Sequence, residues 1–203
     1  ILKQFNVPID YFASTKAPVE VHIQNALARQ GASHLLEKRD VIPSQRLKDA
    51  VDVIRETLIS AESARQITAL APVLVAHARN LNFHRLKAQL AEAGVDRRLA
   101  WVVENTKDAL GKLIRQGGLD RKTAVVYEQA RLVLQDAFGP WTLANMFRAR
   151  AKNIPEDSLD PDIASKTSKD EVRKESSDNS RRWRILTRIK VDDFIQALRA
   201  AND

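Results

Sequence analysis

SAESARQITALAPVLVAHARNLNFHRLKAQLAEAGVDRRLAWVVENTKDALGKLI, residues 60–114, is the stretch of sequence that decides the fold. Its first part carries apolar residues at alternating steps of three and four positions: Ala64, Ile67, Ala71, Leu74, Ala78 and Leu81. This spacing puts all of them on one face of an amphipathic helix. A second helical run, 83–93, ends at Gly94, and a third occupies 97–114. Three consecutive helices of this kind predict an all-α fold, a multi-helix bundle.

The flanking sequence predicts further helices that pack on residues 60–114. They are 18–30, 44–59, 120–138 and a short one from 140 to 152. Gly139-Pro140 is predicted to separate the last two, because proline lacks the amide donor that a helix interior requires. Pro72 is predicted to kink or break the helix that starts after Ser60, for the same reason. Residues 1–17 are predicted to pack on the bundle as an extended arm.

The composition changes at Asn153 and predicts a division of the chain into three parts. Residues 1–154 form the helical bundle domain. Residues 155–180 are rich in Pro, Ser, Asp, Glu and Lys, with few residues to bury, and predict a flexible linker. Residues 181–203 form a basic C-terminal element. Trp183, Ile185, Thr187 and Ile189 alternate with other residues there, which predicts a strand before a helix at 192–200, although the apolar spacing also fits a helix.

The charge balance favours a polyanionic partner. The 203 residues carry a net charge of +7, and lysine and arginine bound to phosphates release condensed counterions.

There is no cysteine, which excludes disulfides and thiolate metal sites from these residues and fits a cytoplasmic protein. The longest apolar run, 67–76, is far shorter than the roughly 20 residues that span a bilayer, so no membrane association is predicted. The first residues also lack the pattern of a signal peptide.

The string Arg79-Asn80-Leu81-Asn82-Phe83-His84 resembles the Arg-x4-His motif of HEPN ribonucleases. The resemblance implies an all-α domain that carries the motif on a helix and cleaves RNA without metal, from paired motifs across a homodimer. The chemistry would suit both residues, because arginine stabilises a phosphoryl transition state and histidine transfers protons near neutral pH. The alternative is that Arg79 and His84 are half-exposed residues at a corner between two helices.

Residues 89–100 resemble a helix-turn-helix, with Gly94 in the turn and two arginines at the start of the second helix. In that motif the second helix enters the major groove, and its first residues meet bases or phosphates. The resemblance implies this role for Arg97 and Arg98. An ordinary helical hairpin also explains these residues, because Trp101 and its neighbours make the second helix apolar on several sides, as in a buried helix.

The densest basic stretch follows the predicted linker. Its predicted nucleic-acid-binding residues are Arg181, Arg182, Trp183, Arg184, Arg188 and Lys190. Such a segment can follow a phosphate backbone and stack its tryptophan on a base. The alternative is that the arginines cover the acidic linker while Trp183 packs into the bundle.

Metal and cofactor signatures are absent from the sequence. There is no glycine-rich phosphate loop, nucleophile elbow or acidic metal motif, so no cofactor and no metal are predicted.

The resulting hypothesis is a non-catalytic nucleic-acid-associated protein, a regulator or a subunit of a nucleoprotein assembly, that binds the phosphate backbone of DNA or RNA. Two alternatives remain. One is the HEPN-like ribonuclease, and the other is a structural or adaptor subunit that exposes an apolar stripe to protein partners or to a second copy.

Overall fold

The computed structural model describes residues 19–35, 37, 46–60, 63–151, 154–160, 163 and 165–202, with the backbone alone at 142 and 145–151. The extended arm predicted for residues 1–17 lies outside this range. The helices are α1 (Val19–Arg29), α2 (Ala50–Ser60), α3 (Ala64–Thr68), α4 (Leu70–His77), α5 (Phe83–Glu92), α6 (Asp96–Gln116), α7 (Arg121–Ala151), α8 (Lys166–Glu175), α9 (Asp178–Trp183) and α10 (Val191–Ala200). Two short strands, β1 (Asp157–Ser158) and β2 (Ile185–Leu186), pair in parallel. The prediction of an all-α multi-helix bundle is confirmed.

Helix α6 is the centre of the bundle. It packs against α7, α10, α9, α5 and α4. Five consecutive residues near its start are buried: Leu99, Ala100, Trp101, Val102 and Val103. Consecutive residues of a helix point in different directions, so this part of α6 is surrounded by protein. The Trp101 ring meets Phe194 of α10 edge to face, with centroids 5.6 Å apart, and the Trp101 Nε1 donates to Ser180 Oγ at 3.1 Å.

The helix predicted to start after Ser60 is divided in the structure. Ser63 caps α3, because its Oγ accepts the Gln66 amide at 3.3 Å. The break falls at Ala69, and α4 resumes at Leu70. Pro72 therefore lies in the first turn of α4, where the missing amide would have no intrahelical partner. The predicted break is present, and the new helix starts at Leu70, two residues before Pro72.

The predicted end of a helix at Gly139-Pro140 is wrong, because α7 continues through Pro140 to Ala151. Proline in a helix interior costs about 3 kcal/mol. Packing around the proline offsets this cost. The Phe138 ring packs edge to face on Phe83 and on Trp141, with centroids 5.1 and 5.6 Å apart. The Lys87 ammonium lies over the Phe138 and Trp141 rings and donates to the Ala137 carbonyl at 3.1 Å.

The segment with the predicted linker contains β1, α8 and the first residues of α9. The strand predicted within 181–190 is limited to Ile185–Leu186, because residues 181–183 belong to α9. Arg184 ends α9 in the left-handed conformation, with φ 54°, and its amide donates to the Arg181 carbonyl at 3.2 Å. The helix predicted at 192–200 is present as α10.

Candidate anion-binding site

The turn between α5 and α6 has the local geometry that the helix-turn-helix resemblance implied. Gly94 adopts a φ of 71°, which glycine reaches without steric cost, and its amide donates to the Ala91 carbonyl. The second helix of the pair, however, is the central α6, whose first turns lie against the C-terminal part of the chain. It therefore does not form the exposed recognition helix that the resemblance implied.

Arg97 and Arg98 donate to protein groups. The Arg97 guanidinium donates to the Pro155 carbonyl at 3.1 Å and the Trp183 carbonyl at 3.4 Å. The Arg98 guanidinium makes two bonds of 2.7 Å to the Asp157 carboxylate. A third Arg98 bond, to the Leu58 carbonyl, also measures 2.7 Å. These two arginines tie the segment around β1 to α6, rather than presenting their donors to a phosphate.

Trp183 and Arg182 also bind within the molecule. The Trp183 side chain is fully buried, and its Nε1 donates to the Glu104 carboxylate of α6. The other Glu104 oxygen forms an ion pair with Arg182. A base cannot reach a ring that is covered on both faces, so the expected stacking on Trp183 is contradicted by its burial. The alternative, in which Trp183 packs into the bundle, describes its position.

The two residues of the Arg-x4-His string lie on different elements. Arg79 belongs to the turn after α4, whereas His84 is the second residue of α5. Asn82 separates them as the cap of α5, because its Oδ1 accepts the Arg85 amide at 2.9 Å. The Arg79 guanidinium donates to the Gln129 side chain. The resemblance implied one continuous helix carrying both residues, and in this respect the structure differs from it.

Two of the predicted residues, Arg181 and Arg184, line one cavity together with a third arginine, Arg173 of α8. The cavity has a volume of about 360 Å³, and β2 forms one of its walls. Its polar lining consists of Glu156, Arg173, Ser176, Ser180, Arg181 and Arg184. Three guanidinium groups against one carboxylate leave a net charge of +2 on the lining itself, and Asp170 of α8 pairs with Arg173 from beside it. A concave site with this charge is suited to an anion.

The backbone of the C-terminal part brings these three arginines together. Arg173 lies in the last turn of α8, which Ser165 starts by accepting the Ser168 amide at 3.0 Å. Arg181 donates to the Lys174 carbonyl at 3.1 Å, which holds α9 against the end of α8. Arg184 is the one non-glycine residue in the described part of the chain with a left-handed backbone. Such conformations cost about 1–3 kcal/mol and are often found at ligand-binding positions.

The positive charges around the cavity act on the Glu156 carboxylate. Arg173 donates to both of its oxygens, at 3.0 and 2.6 Å. This hydrogen bonding, together with the charges of Arg173, Arg184 and Lys169, lowers the pKa of Glu156 from its ordinary value. The hydrogen bond with Glu156 in turn raises the pKa of Arg173. Glu156 is thus an intramolecular anion bound by Arg173.

Arg188 and Lys190, the remaining predicted residues, lie on the surface shortly after β2, which lines the cavity. Arg188 is 52% exposed, and its guanidinium is 4.0 Å from the carboxylates of Asp160 and Glu175, the last residue of α8. Lys190 is exposed as well, while the intervening Ile189 is buried. Alternating burial puts Arg188 and Lys190 on the same side of this segment. We call Arg173, Arg181, Arg184 and Arg188 the arginine face.

Neither Arg173 nor Glu156 was expected from the sequence, because both fall within the predicted linker. The pattern Ser165-x-x-Ser168 was the available signal for α8, since serine at these positions caps a helix start.

The described residues contain no group of three or more His, Asp or Glu side chains able to hold a metal ion. Among the described helices, none has the length and apolar character needed to cross a membrane.

Comparisons with known proteins assign no family to the chain: no family model, no curated protein and no solved structure matches it.

Proposed function

We propose that this protein binds nucleic acid, DNA or RNA, through the phosphate backbone, using the arginine face and Lys190. The single observation that carries the proposal is the cavity lined by Arg173, Arg181 and Arg184. The planar guanidinium group donates two parallel hydrogen bonds to phosphate oxygens, and binding releases counterions from the nucleic acid. The proposal retains four of the residues predicted from sequence and adds Arg173.

Two features of the arginine face support a role in binding. Arg188 is 52% exposed, and its nearest carboxylates are 4.0 Å away. Exposed ion pairs of this length contribute little to stability, so this side chain can turn to a ligand at low cost. Arg181 is 55% exposed and keeps its bond to the Lys174 carbonyl. The net charge of +7 adds a long-range attraction for a polyanion.

The test is a fluorescence-anisotropy titration with labelled single-stranded DNA, double-stranded DNA and RNA at several salt concentrations. The triple variant Arg173→Gln/Arg181→Gln/Arg184→Gln is compared with the intact chain. Its affinity is expected to fall by roughly tenfold or more. The slope of log K against log salt concentration is expected to decrease by about 0.9 for each phosphate of double-stranded DNA that the variant no longer binds, and by about 0.7 for each phosphate of a single strand.

A matched control removes the same charge elsewhere. Arg115, Arg121 and Lys122 are exposed where α6 ends and α7 begins. Along α6, Arg115 lies about 25 Å from Arg98, which contacts the C-terminal part. The variant Arg115→Gln/Arg121→Gln/Lys122→Gln is expected to bind almost as well as the intact chain. Equal losses of affinity in both triple variants would reduce the proposal to a general effect of net charge and contradict it.

A second candidate function, a structural subunit that associates through protein contacts, is favoured by the outer side of α7. Val125, Leu132 and Leu143 are 48%, 53% and 54% exposed. Their spacings of 7 and 11 residues align them within about 20° on one helix face. Leu132 and Leu143 also line an open groove of about 830 Å³ beside Glu104 and Lys107 of α6. This is the exposed apolar stripe that the adaptor hypothesis predicts.

The second candidate is tested with a second copy of the chain as the partner, because a helix face that pairs with itself serves both subunits. Sedimentation velocity over a range of concentrations is expected to show a dimer that Leu132→Gln/Leu143→Gln dissociates. A monomer at all concentrations would contradict this candidate and leave the nucleic-acid proposal unaffected.

A further inference from the structure

The cavity of the arginine face is too small for a continuous strand. Its volume of about 360 Å³ is at the lower end of the roughly 300–1,000 Å³ typical of small-molecule sites. Buried Ile185 and Leu186 of β2 line it together with the three arginines. A half-open site of this size accommodates one phosphate-bearing unit rather than several successive phosphodiesters.

The number of guanidinium groups matches the charge of a phosphate monoester. A backbone phosphodiester carries a single negative charge. A terminal monoester carries about −1.5 to −2 at pH 7 and presents three acceptor oxygens. Once Glu156 is displaced, the three guanidinium groups of Arg173, Arg181 and Arg184, together with the Asp170 carboxylate that pairs with Arg173, leave a net charge of +2 around one space. The lining therefore fits a monoester better than an internal phosphate.

Glu156 occupies an anion position that it is able to leave. Its side chain is 27% exposed, so its carboxylate already meets solvent. The backbone next to it is held independently: the Asp157 amide donates to the Arg184 carbonyl at 2.9 Å, and the Asp157 carboxylate binds Arg98 at 2.7 Å. A change of the Glu156 side-chain rotamer alone would free the Nε and Nη2 donors of Arg173 without displacement of β1, while its Nη1 stays bound to Asp170.

We infer that this cavity binds the terminal phosphate monoester of a nucleic-acid strand, with Arg173, Arg181 and Arg184 on its oxygens and Glu156 displaced from Arg173. This inference rests on the proposed function, because the surface that continues from the cavity to Arg188 and Lys190 would hold the adjoining part of the strand. Glu156 is then a competitor of the ligand, and its removal strengthens binding.

The test uses one single-stranded oligonucleotide in three forms, with a 5′-phosphate, a 3′-phosphate or hydroxyl groups at both ends, in anisotropy titrations at fixed salt. One phosphorylated form is expected to bind the intact chain roughly tenfold or more tightly than the unphosphorylated form. Glu156→Gln is expected to raise the affinity for that form alone, and Arg173→Gln to abolish the preference. If the Arg173–Glu156 pair were purely structural, the added positive charge of Glu156→Gln would strengthen the binding of all three forms equally, and this outcome would contradict the inference.

Equal, salt-dependent binding of all three oligonucleotides would overturn this inference while the proposed function stands. Absence of binding by any form at low salt would overturn both. Competition separates the ligand classes: a nucleoside monophosphate is expected to displace the oligonucleotide at lower concentration than the nucleoside, inorganic phosphate or O-phosphoserine. Equal competition by O-phosphoserine would overturn the assignment to nucleic acid. Circular dichroism of each variant checks that it is folded, and Glu156→Gln still tests the inference if Arg173→Gln fails to fold.

Discussion

The arginines around the start of α6 and Arg188 of the arginine face have the same chemistry and different surroundings. Arg98 and Asp157 are 18% and 21% exposed, and two bonds of 2.7 Å join them. Arg188 is 52% exposed and lies 4.0 Å from its nearest carboxylates. Charge-assisted bidentate bonds that are partly shielded from water hold structure, whereas long ion pairs in water contribute little. Burial and the distance to a fixed acceptor therefore decide which arginines remain available to a ligand.

The largest loss of stability is expected for Trp183→Ala, which tests the region whose side chains are buried. The full burial of Trp183 predicts a loss of about 3–5 kcal/mol in the free energy of unfolding, measured by urea denaturation. The control is Leu143→Ala, for which 54% exposure predicts a change within about 0.5 kcal/mol. A loss below about 1 kcal/mol for Trp183→Ala would show that the ring is accessible and restore it as a stacking surface.

A loss of about 2 kcal/mol in the free energy of unfolding is expected for Arg98→Met, because the variant leaves the Asp157 carboxylate and the Leu58 carbonyl without their donors. Asp157→Asn and the double variant complete a double-mutant cycle. The sum of the two single losses is expected to exceed the loss in the double variant, since both remove one interaction. Additive losses would mean that the two groups do not interact in solution.

Acid is expected to weaken the ion pair of the cavity. Hydrogen bonding to Arg173 lowers the pKa of Glu156 below its ordinary value of 4.5, so the folded state favours the charged carboxylate. The stabilisation is fully present above about pH 4.5 and is lost as the pH falls through the lower pKa of the folded state. Urea denaturation of the intact chain and of Glu156→Gln should therefore give stabilities that converge below pH 4.5. A difference independent of pH would contradict an ionic interaction.

The smallest effect on stability is expected for Arg188→Gln. Its exposed ion pairs predict a change within about 0.5 kcal/mol in the free energy of unfolding. The slope of log K against log salt concentration for binding a single-stranded oligonucleotide is nevertheless expected to fall by about 0.7, the value for one bound phosphate. Arg97→Gln provides the contrasting case, with a loss of stability because Arg97 donates to the Pro155 and Trp183 carbonyls. An Arg188 variant that unfolds easily would remove the distinction between the two regions.

The local sequence predicted the positions of the helices more reliably than it predicted the roles of individual side chains. The spacing of apolar residues in 60–114 predicted α4, α5 and α6, because a residue's side of a helix depends only on its position along the chain. The Gly139-Pro140 prediction was wrong because Phe83 and Lys87, about 50 residues away, pack around that turn. Local propensity is a weak effect that tertiary packing outweighs.

The candidate site was predicted only in part, for a comparable reason. Arg181 and Arg184 were recognised from the basic stretch, whereas Arg173 and Glu156 belong to a segment with few apolar residues. Such a composition indicates a linker when the partners of its charged groups are unknown. The Arg173–Glu156 bond joins residues 17 positions apart, a separation at which no sequence periodicity operates.

The sequence by itself determined the helical class, most of the apolar stripes and the turn at Gly94, because each depends on residues within one or two helical turns. Only the tertiary structure decided that Arg97, Arg98 and Trp183 are structural while Arg173, Arg181 and Arg184 share a cavity. The contacts responsible join residues 59 positions apart for Arg98 and Asp157, and 79 apart for Trp183 and Glu104. The role of a guanidinium group depends on which oxygens lie within about 3 Å and how much water surrounds them, and both are set by the packing of distant segments.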